Sequence, residues 1–405
     1  MDTMEDFFKN QSFVPFVPFV PFVPSWTSCR CCSSRIPPVQ IQAAVVREQG
    51  QPLTVETLDL APPGAGEVLV EVRAAGVCHS DLHATSGDWP MKTPLVPGHE
   101  GAGIVREIGD GVTRVRPGDH VVLCWAPACG QCAPCKEGTP LLCDRLDKTT
   151  FRNKLPWGGT RLSAQGEDVA PFLGTACFAT HTVVPQEALV AVADAVPFSA
   201  LGAVGCAVVT GVGAVTNAAR LPKGAIVAVI GAGGVGVNVI QGAAMAGAST
   251  IIAVDREAAP LAIAKQLGAT HLVQPMGKTA DAVKELTDGR GAEFVFDTVG
   301  SPATLTDALL STRKGGTVVI TGLSRIDAQG ALRLYPFVMH EKRLIGSVYG
   351  SGNPLTDIER LVKLHQSGGL KLDELTTRRY RLDEVNEALA ALARGEGGRG
   401  VIFMD

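Results

Sequence analysis

Cys129, Cys132, Cys135 and Cys143 follow the pattern C-x2-C-x2-C-x7-C. Four thiolates at that spacing can close a tetrahedral zinc site with no open position, so such a metal would be structural. A ferredoxin-type iron–sulfur cluster is the rival reading. That motif has a shorter last gap and a Pro after its fourth cysteine, whereas Asp144 follows Cys143 here. Three further residues able to bind metal are dispersed: Cys78 in GVCHSDLH, His99 in PGHEGAG and Cys206 in GCAVVTG. Singly, each reads more readily as a core cysteine or a satisfied polar histidine. The chain has eleven cysteines. It is long enough to form its own core without disulfide staples, and clustered C-x-x-C spacing argues for metal. A reducing, cytoplasmic location is the expectation.

A second chemical signal lies further on. Gly231, Gly233 and Gly236 spell G-x-G-x-x-G, with Gly234 and Val235 between them. The motif follows the apolar run AIVAVI and opens the helical stretch VNVIQGAAMAGA. Asp255 ends the next strand-like run 19 residues beyond Gly236. In that context the glycines permit a tight turn, a close backbone approach to a pyrophosphate, and close helix–strand packing. The helix N-terminus would face the phosphate charge. Asp255 would hydrogen-bond the adenosine ribose hydroxyls and repel a 2′-phosphate, which favours NAD over NADP; Arg256 tempers that preference.

The elements needed to position these groups fall into two textures. Residues 41–200 are rich in short strands bounded by Gly and Pro, such as GEVLVEVRAAGV and PGDHVVLC, which suggests a barrel-like antiparallel domain. From residue 225 onward, apolar strands alternate with helical stretches: AIVAVI, IIAVD, FVFDTVG, TVVITGL and LIGSVYG. That alternation predicts an α/β fold with a doubly wound parallel Rossmann sheet. The expected division is a tail at 1–40, a catalytic domain at 41–207, a nucleotide domain at 208–349, and a return to the catalytic domain at 350–405. Residues 13–24 repeat FVP four times, which suits an extended, disordered appendage.

Composition narrows the classes of function. The net charge of -4 and the lack of a basic stripe speak against nucleic acid. No stretch reaches roughly 18 uninterrupted apolar residues, so no membrane span is expected. The first ten residues carry three acidic groups and one Lys, the wrong balance for a signal peptide.

The segments GVCHSDLH, PGHEGAG, the four-cysteine loop, GCAVVTG and GAGGVG together resemble the zinc-containing medium-chain alcohol dehydrogenases, over about residues 41–405. The resemblance implies a GroES-like barrel domain and two zinc ions per chain. It makes Cys78, His99 and Cys206 the ligands of a catalytic zinc with one open position. Glu100 would stand behind that metal, and Asp81 would orient His99. The implied reaction is reversible hydride transfer between a primary alcohol and NAD, eased by the metal's effect on the alcohol proton. Ser80 and His83 would form the proton relay. His79 and Arg399 would contact the cofactor pyrophosphate, and Thr210 and Val235 would pack behind the nicotinamide. Trp89, Trp125 and Phe178 would line an apolar pocket for an aryl or longer aliphatic alcohol. The long segment 144–174 resembles that of dimeric members and implies a homodimer joined through the Rossmann sheets. Two alternatives remain open: a thiol-linked formaldehyde dehydrogenase of the same fold, and a non-enzymatic zinc-binding module.

Overall fold

The structure is a computed structural model and describes residues 37–405. The FVP repeats, and Cys29, Cys31 and Cys32, lie outside the described residues. The first strand, Val39–Val45, begins two residues before Ile41.

The antiparallel lobe is built on the strand Glu67–Gly76, whose side chains are mostly buried on both faces. It pairs antiparallel with Gly101–Ile108, His181–Pro185 and the C-terminal strand Arg399–Phe403. Arg399–Phe403 in turn pairs parallel with Thr376–Arg381, so the end of the chain is woven into this sheet. A second, five-stranded sheet starts from the pair Val39–Val45 and Thr54–Leu60. Alternation along Val39–Val45 places Ile41, Ala43 and Val45 in a core with Leu58 and Leu60.

The other lobe is a six-stranded parallel sheet. Its spatial order is His271–Val273, Thr250–Val254, Ile226–Ile230, Ala292–Asp297, Thr312–Ile320 and Arg343–Gly346. Counted in chain order, this is 3-2-1-4-5-6, the doubly wound arrangement with its crevice where the order reverses. The strand Ile226–Ile230 is buried except at its first residue, as a central strand covered by helices requires. The helix Gly234–Met245 leaves it through the glycine turn.

A helical run, Phe198–Ala218, carries Cys206 and Thr210. Among the described residues it is the one helix long and apolar enough to cross a membrane. However, 89% of its apolar window is buried inside the protein, as for a core helix. Sequence reading passed over it because Ser199, Thr210 and Thr216 interrupt the apolar run. Gly211 lets it approach the helix Gly234–Met245: a Cβ there would lie 2.5 Å from the Val235 carbonyl oxygen.

Candidate active site

Cys78 caps the N-terminus of the helix His79–Ser86, directly after the long strand Glu67–Gly76 and Val77. His99 immediately precedes Glu100 and the strand Gly101–Ile108. Cys206 enters on the buried helical run. The three metal-binding atoms lie within 4.8 Å of one another, and all three residues are buried. His99 Nε2 stands 3.3 Å from Cys206 Sγ. On the other side of the ring, His99 Nδ1 donates to Asp81 Oδ1 at 3.0 Å. Asp81 also accepts from the backbone N–H of Cys78 and of Gly98. A carboxylate with three donors holds the imidazole with Nδ1 protonated and leaves the Nε2 lone pair facing the two sulfurs.

The electrostatics fit a cation. A hydrogen bond from Cys206, aided by Arg399 and His99 against the effect of burial, holds the Cys78 thiol well below its usual range. The same bond, with burial, pushes Cys206 well above it. Two buried thiols this close cannot both ionise without positive charge between them. Burial lowers the proton affinity of His99, but Asp81 and Cys78 outweigh it and carry that affinity well above the ordinary value.

Behind the triad lies a buried ion pair. Arg399 Nε and Nη2 donate to Glu100 Oε1 and Oε2 at 2.7 and 2.8 Å. Glu100 Oε2 also accepts from the Ala207 N–H, next to Cys206. The third guanidinium nitrogen of Arg399, Nη1, faces the glycine turn: a Cβ on Gly234 would lie 2.9 Å from it. Gly231 has φ +92 and a Cβ there would strike Thr298, while one on Gly236 would overlap the Gly231 carbonyl. Gly233 differs. A Cβ on it would meet nothing within 4 Å, so its Cα faces the open space a bound pyrophosphate would use. Asp255 accepts from the Ala232 and Glu257 N–H groups at 2.7 and 3.0 Å, which pins its carboxylate beside that turn. Arg256 and His79 are exposed; Val235 is half-buried and Thr210 buried.

The other cysteine set is local. The binding atoms of Cys129, Cys132, Cys135 and Cys143 also lie within 4.8 Å of one another. Cys129 Sγ accepts from the N–H groups of Gln131 and Cys132 at 3.4 Å, which lowers its pKa to about 6. Burial, with hydrogen bonding to Cys132, instead raises Cys135 to about 12.

Comparison with known proteins gives this geometry a family. Residues 64–194 match the alcohol dehydrogenase GroES-like domain, and residues 234–367 match the zinc-binding dehydrogenase domain. The NDMA-dependent alcohol dehydrogenase of Amycolatopsis methanolica is 41% identical, over 90% of this chain and 99% of that one. Alcohol dehydrogenase B of Mycobacterium tuberculosis is 37% identical, over 90% and 98%. The crystal structure of benzyl alcohol dehydrogenase from Acinetobacter calcoaceticus superposes with a TM-score of 0.85 at 34% identity, covering 91% of this chain and 100% of that one. The chain belongs to the zinc-containing medium-chain alcohol dehydrogenases. It is an oxidoreductase of small-molecule alcohols and aldehydes, and Cys78, His99 and Cys206, like the four clustered cysteines, form a set whose geometry could hold a metal ion.

The aromatic residues of this dehydrogenase are placed less simply than sequence reading expected. Trp125 is buried, with its ring 4.3 Å from that of Tyr349, and its indole N–H has no partner among the described residues. Tyr349 donates to the Gly205 carbonyl, one residue from Cys206. Trp89 stacks on His83, with ring centres 5.1 Å apart. Phe178 packs against the residue before His99: a Cβ on Gly98 would lie 2.6 Å from its ring. It is fully buried, its N–H donates to the Pro97 carbonyl, and it packs in the barrel-lobe core with Ala44 and Leu95. Phe172, from the same core, stands edge-on to His99 at 5.6 Å. Phe172 and Tyr349 were missed because nothing in their local sequence separates a residue that touches the site from plain core. Ser80 is half-buried in the first turn after Cys78. His83 is not free in the cleft: Nδ1 lies 2.9 Å from Asp88 Oδ2 and Nε2 lies 3.2 Å from the Leu323 carbonyl oxygen.

Proposed function

We propose that this dehydrogenase interconverts apolar primary alcohols, aryl or longer aliphatic, with their aldehydes, using NAD and two zinc ions per chain. One observation carries the reading. Cys78, His99 and Cys206, from three separate elements, bring two sulfurs and an imidazole nitrogen together within 4.8 Å, in the lobe next to a nucleotide-type glycine turn. Three protein ligands leave one position for substrate, the arrangement of a catalytic site, whereas the four-cysteine set closes a structural one.

When bound, zinc supplies a Lewis acid and nicotinamide supplies a hydride acceptor. The chain's own residues do the rest. Asp81 fixes the His99 ring. Ser80 accepts the substrate's hydroxyl proton and passes it toward His83, which carries it to solvent. Glu100 balances Arg399, whose free Nη1 with His79 and the Gly233 backbone binds the pyrophosphate. Asp255 reads the ribose, with Arg256 beside it, and Thr210 and Val235 press on the nicotinamide. Trp89, Trp125 and Phe178, with Phe172 and Tyr349, give the substrate an apolar wall.

The domain limits follow the same reading: a catalytic unit at 41–207 completed by 350–405, and a nucleotide unit at 208–349. The enzyme works in the cytoplasm as a homodimer. The exposed Leu334, Tyr335, Val338 and Met339 and the edge strand Arg343–Gly346 support the dimer. The NDMA-dependent relative gives a specific reason to test NDMA beside NAD, so each assay includes one arm with NDMA.

The deciding experiment is metal analysis of the purified chain together with oxidation of an alcohol panel, with formaldehyde plus and minus a thiol as a control. We expect two zinc ions per chain and NADH formation from benzyl-type alcohols. Cys78→Ala should retain one zinc and the wild-type circular dichroism, with turnover at least about 1000-fold lower, equivalent to some 4 kcal/mol of transition-state stabilisation. Full activity after complete removal of divalent ions would refute the reading.

A further inference from the structure

The backbone around Cys206 is held from both sides by buried polar groups. After it, the Ala207 N–H donates to Glu100 Oε2 at 2.7 Å. Before it, the Gly205 carbonyl accepts from the phenol O–H of Tyr349. The helix between these anchors is not regular. Val204–Val208 forms a π-turn, in which the Val208 N–H donates at 3.2 Å to the Ala203 carbonyl, five residues back. Such turns interrupt the ordinary helical ladder and occur mostly at functional sites. Gly205 also lies against the strand His120–Leu123: a Cβ on it would stand 2.3 Å from the Leu123 carbonyl oxygen.

Tyr349 follows the strand Arg343–Gly346 and reaches that carbonyl from a strained backbone. Its φ is +49, a left-handed value rare for a bulky side chain, and the residue is 3% exposed. Strain of this kind persists only where the surroundings over-determine it. Three contacts do so. The ring lies 4.3 Å from that of Trp125. The hydroxyl is bonded to Gly205. The next residue, Gly350, packs so closely on the same helical run that a Cβ there would lie 2.3 Å from the Val209 carbonyl oxygen.

We propose that Tyr349 is a positioning residue for Cys206: its hydroxyl holds the Gly205 carbonyl and so fixes where the Cys206 sulfur stands relative to Cys78 and His99. The inference rests on the reading of those three residues as the catalytic-zinc ligands. A metal site binds well when its donor atoms already stand at the right separation, and groups that orient the ligands supply much of that order. For His99 that group is Asp81, which acts on the ring itself. For Cys206 the two anchors act on the backbone either side of the sulfur. One is the Glu100 carboxylate, itself held by Arg399, and the other is the Tyr349 hydroxyl. With the hydroxyl gone, the buried Gly205 carbonyl loses its side-chain donor, and the π-turn is pinned at one end only. The Cys206 sulfur then no longer has a fixed separation from its two partners.

The test compares the zinc-loaded full chain as wild-type, Tyr349→Phe and Trp125→Phe. Tyr349→Phe removes the hydroxyl and keeps a ring against Trp125. Zinc loss is followed in competition with a chelator, and cobalt(II) is then put in place of the catalytic zinc. In Tyr349→Phe the affinity for the catalytic zinc should fall about tenfold or more, with the four-cysteine zinc unchanged. The thiolate-to-cobalt absorption bands should shift. Trp125→Phe loosens the ring and keeps the hydroxyl, so it should lower the melting temperature and leave zinc affinity and cobalt bands as in wild-type. Wild-type affinity and bands in Tyr349→Phe would overturn the positioning role. An equal loss of zinc from Trp125→Phe would also overturn it, by reducing Tyr349 to packing. A second measurement needs no change at position 349. The chain has three tyrosines, so labelling with fluorotyrosine gives three fluorine resonances, and Tyr335→Phe and Tyr380→Phe assign the third to Tyr349. That resonance should move as the catalytic site takes up zinc. If it stays fixed, the proposal fails even where Tyr349→Phe does not fold. Wild-type that holds zinc only at the four cysteines would end the catalytic-zinc reading itself, and this inference with it.

Discussion

Asp81 shows how much of this site depends on one side chain that touches neither substrate nor cofactor. It gathers N–H groups from Cys78, Gly98 and His99, and so ties two of the three metal ligands to one carboxylate. Asp81→Asn keeps the shape but replaces one acceptor oxygen with a donor amide. We expect affinity for the catalytic zinc to fall about 10- to 100-fold, read by competition with a chelator, while the four-cysteine zinc stays bound. Asp255 makes an equally local claim. Its carboxylate is fixed by the Ala232 and Glu257 N–H groups beside the glycine turn, so a 2′-phosphate would arrive against a fixed negative charge. Asp255→Gly should lower the ratio of kcat/KM for NAD over NADP by about tenfold or more, some 1.4 kcal/mol. An unchanged ratio would remove Asp255 from cofactor selection.

At the level of elements, the two proposed zinc sites stand on different supports. The four-cysteine lobe holds only a four-residue helix, Ala133–Lys136, and a single 3-10 turn, Pro140–Leu142. Pieces this short do not persist by themselves in water, so metal and sulfur must hold them. Cys132→Ala should therefore leave about one zinc per chain. It should also lower the melting temperature by about 3–5 °C, as loss of a few kcal/mol would in a chain of this size. The catalytic ligands instead hang on the long barrel-lobe strand and on a core helix, and these have their own packing. That is why Cys78→Ala should remove activity while the fold persists. The buried Arg399–Glu100 pair links the last strand to the His99 segment, so the C-terminus is part of the site's frame.

For the whole molecule, the open edge of the parallel sheet is the feature left to explain. Its last strand, Arg343–Gly346, is paired on one side only among the described residues. The adjoining helix Leu334–Met339 buries none of its residues, and Leu334, Tyr335, Val338 and Met339 are 60–77% exposed. An apolar patch beside a free strand edge is a hazard unless something covers it. A second copy meeting edge to edge would do so. Sedimentation should give a dimer, and Val338→Glu combined with Met339→Lys should shift it to monomer at micromolar concentration. A wild-type monomer at that concentration would refute the assembly.

What could be read from residue order was whatever depends on neighbours in the chain. The four-cysteine spacing, the glycine turn with Asp255 after it, and the change from short Gly-bounded strands to apolar strands between helices are all patterns within a few tens of residues. The covalent chain and backbone sterics impose them directly. The rest depended on which distant surfaces pack together. Phe172 and Phe178 lie six residues apart and share one buried core, yet only the packing of the barrel lobe sets Phe172 edge-on to His99 and Phe178 against Gly98. Likewise, the bonds of Arg399 to Glu100 and of His83 to Leu323 span 299 and 240 residues. No local propensity encodes such pairs, because the first forms only once the chain's end is woven into the barrel-lobe sheet and the second only once the two lobes meet.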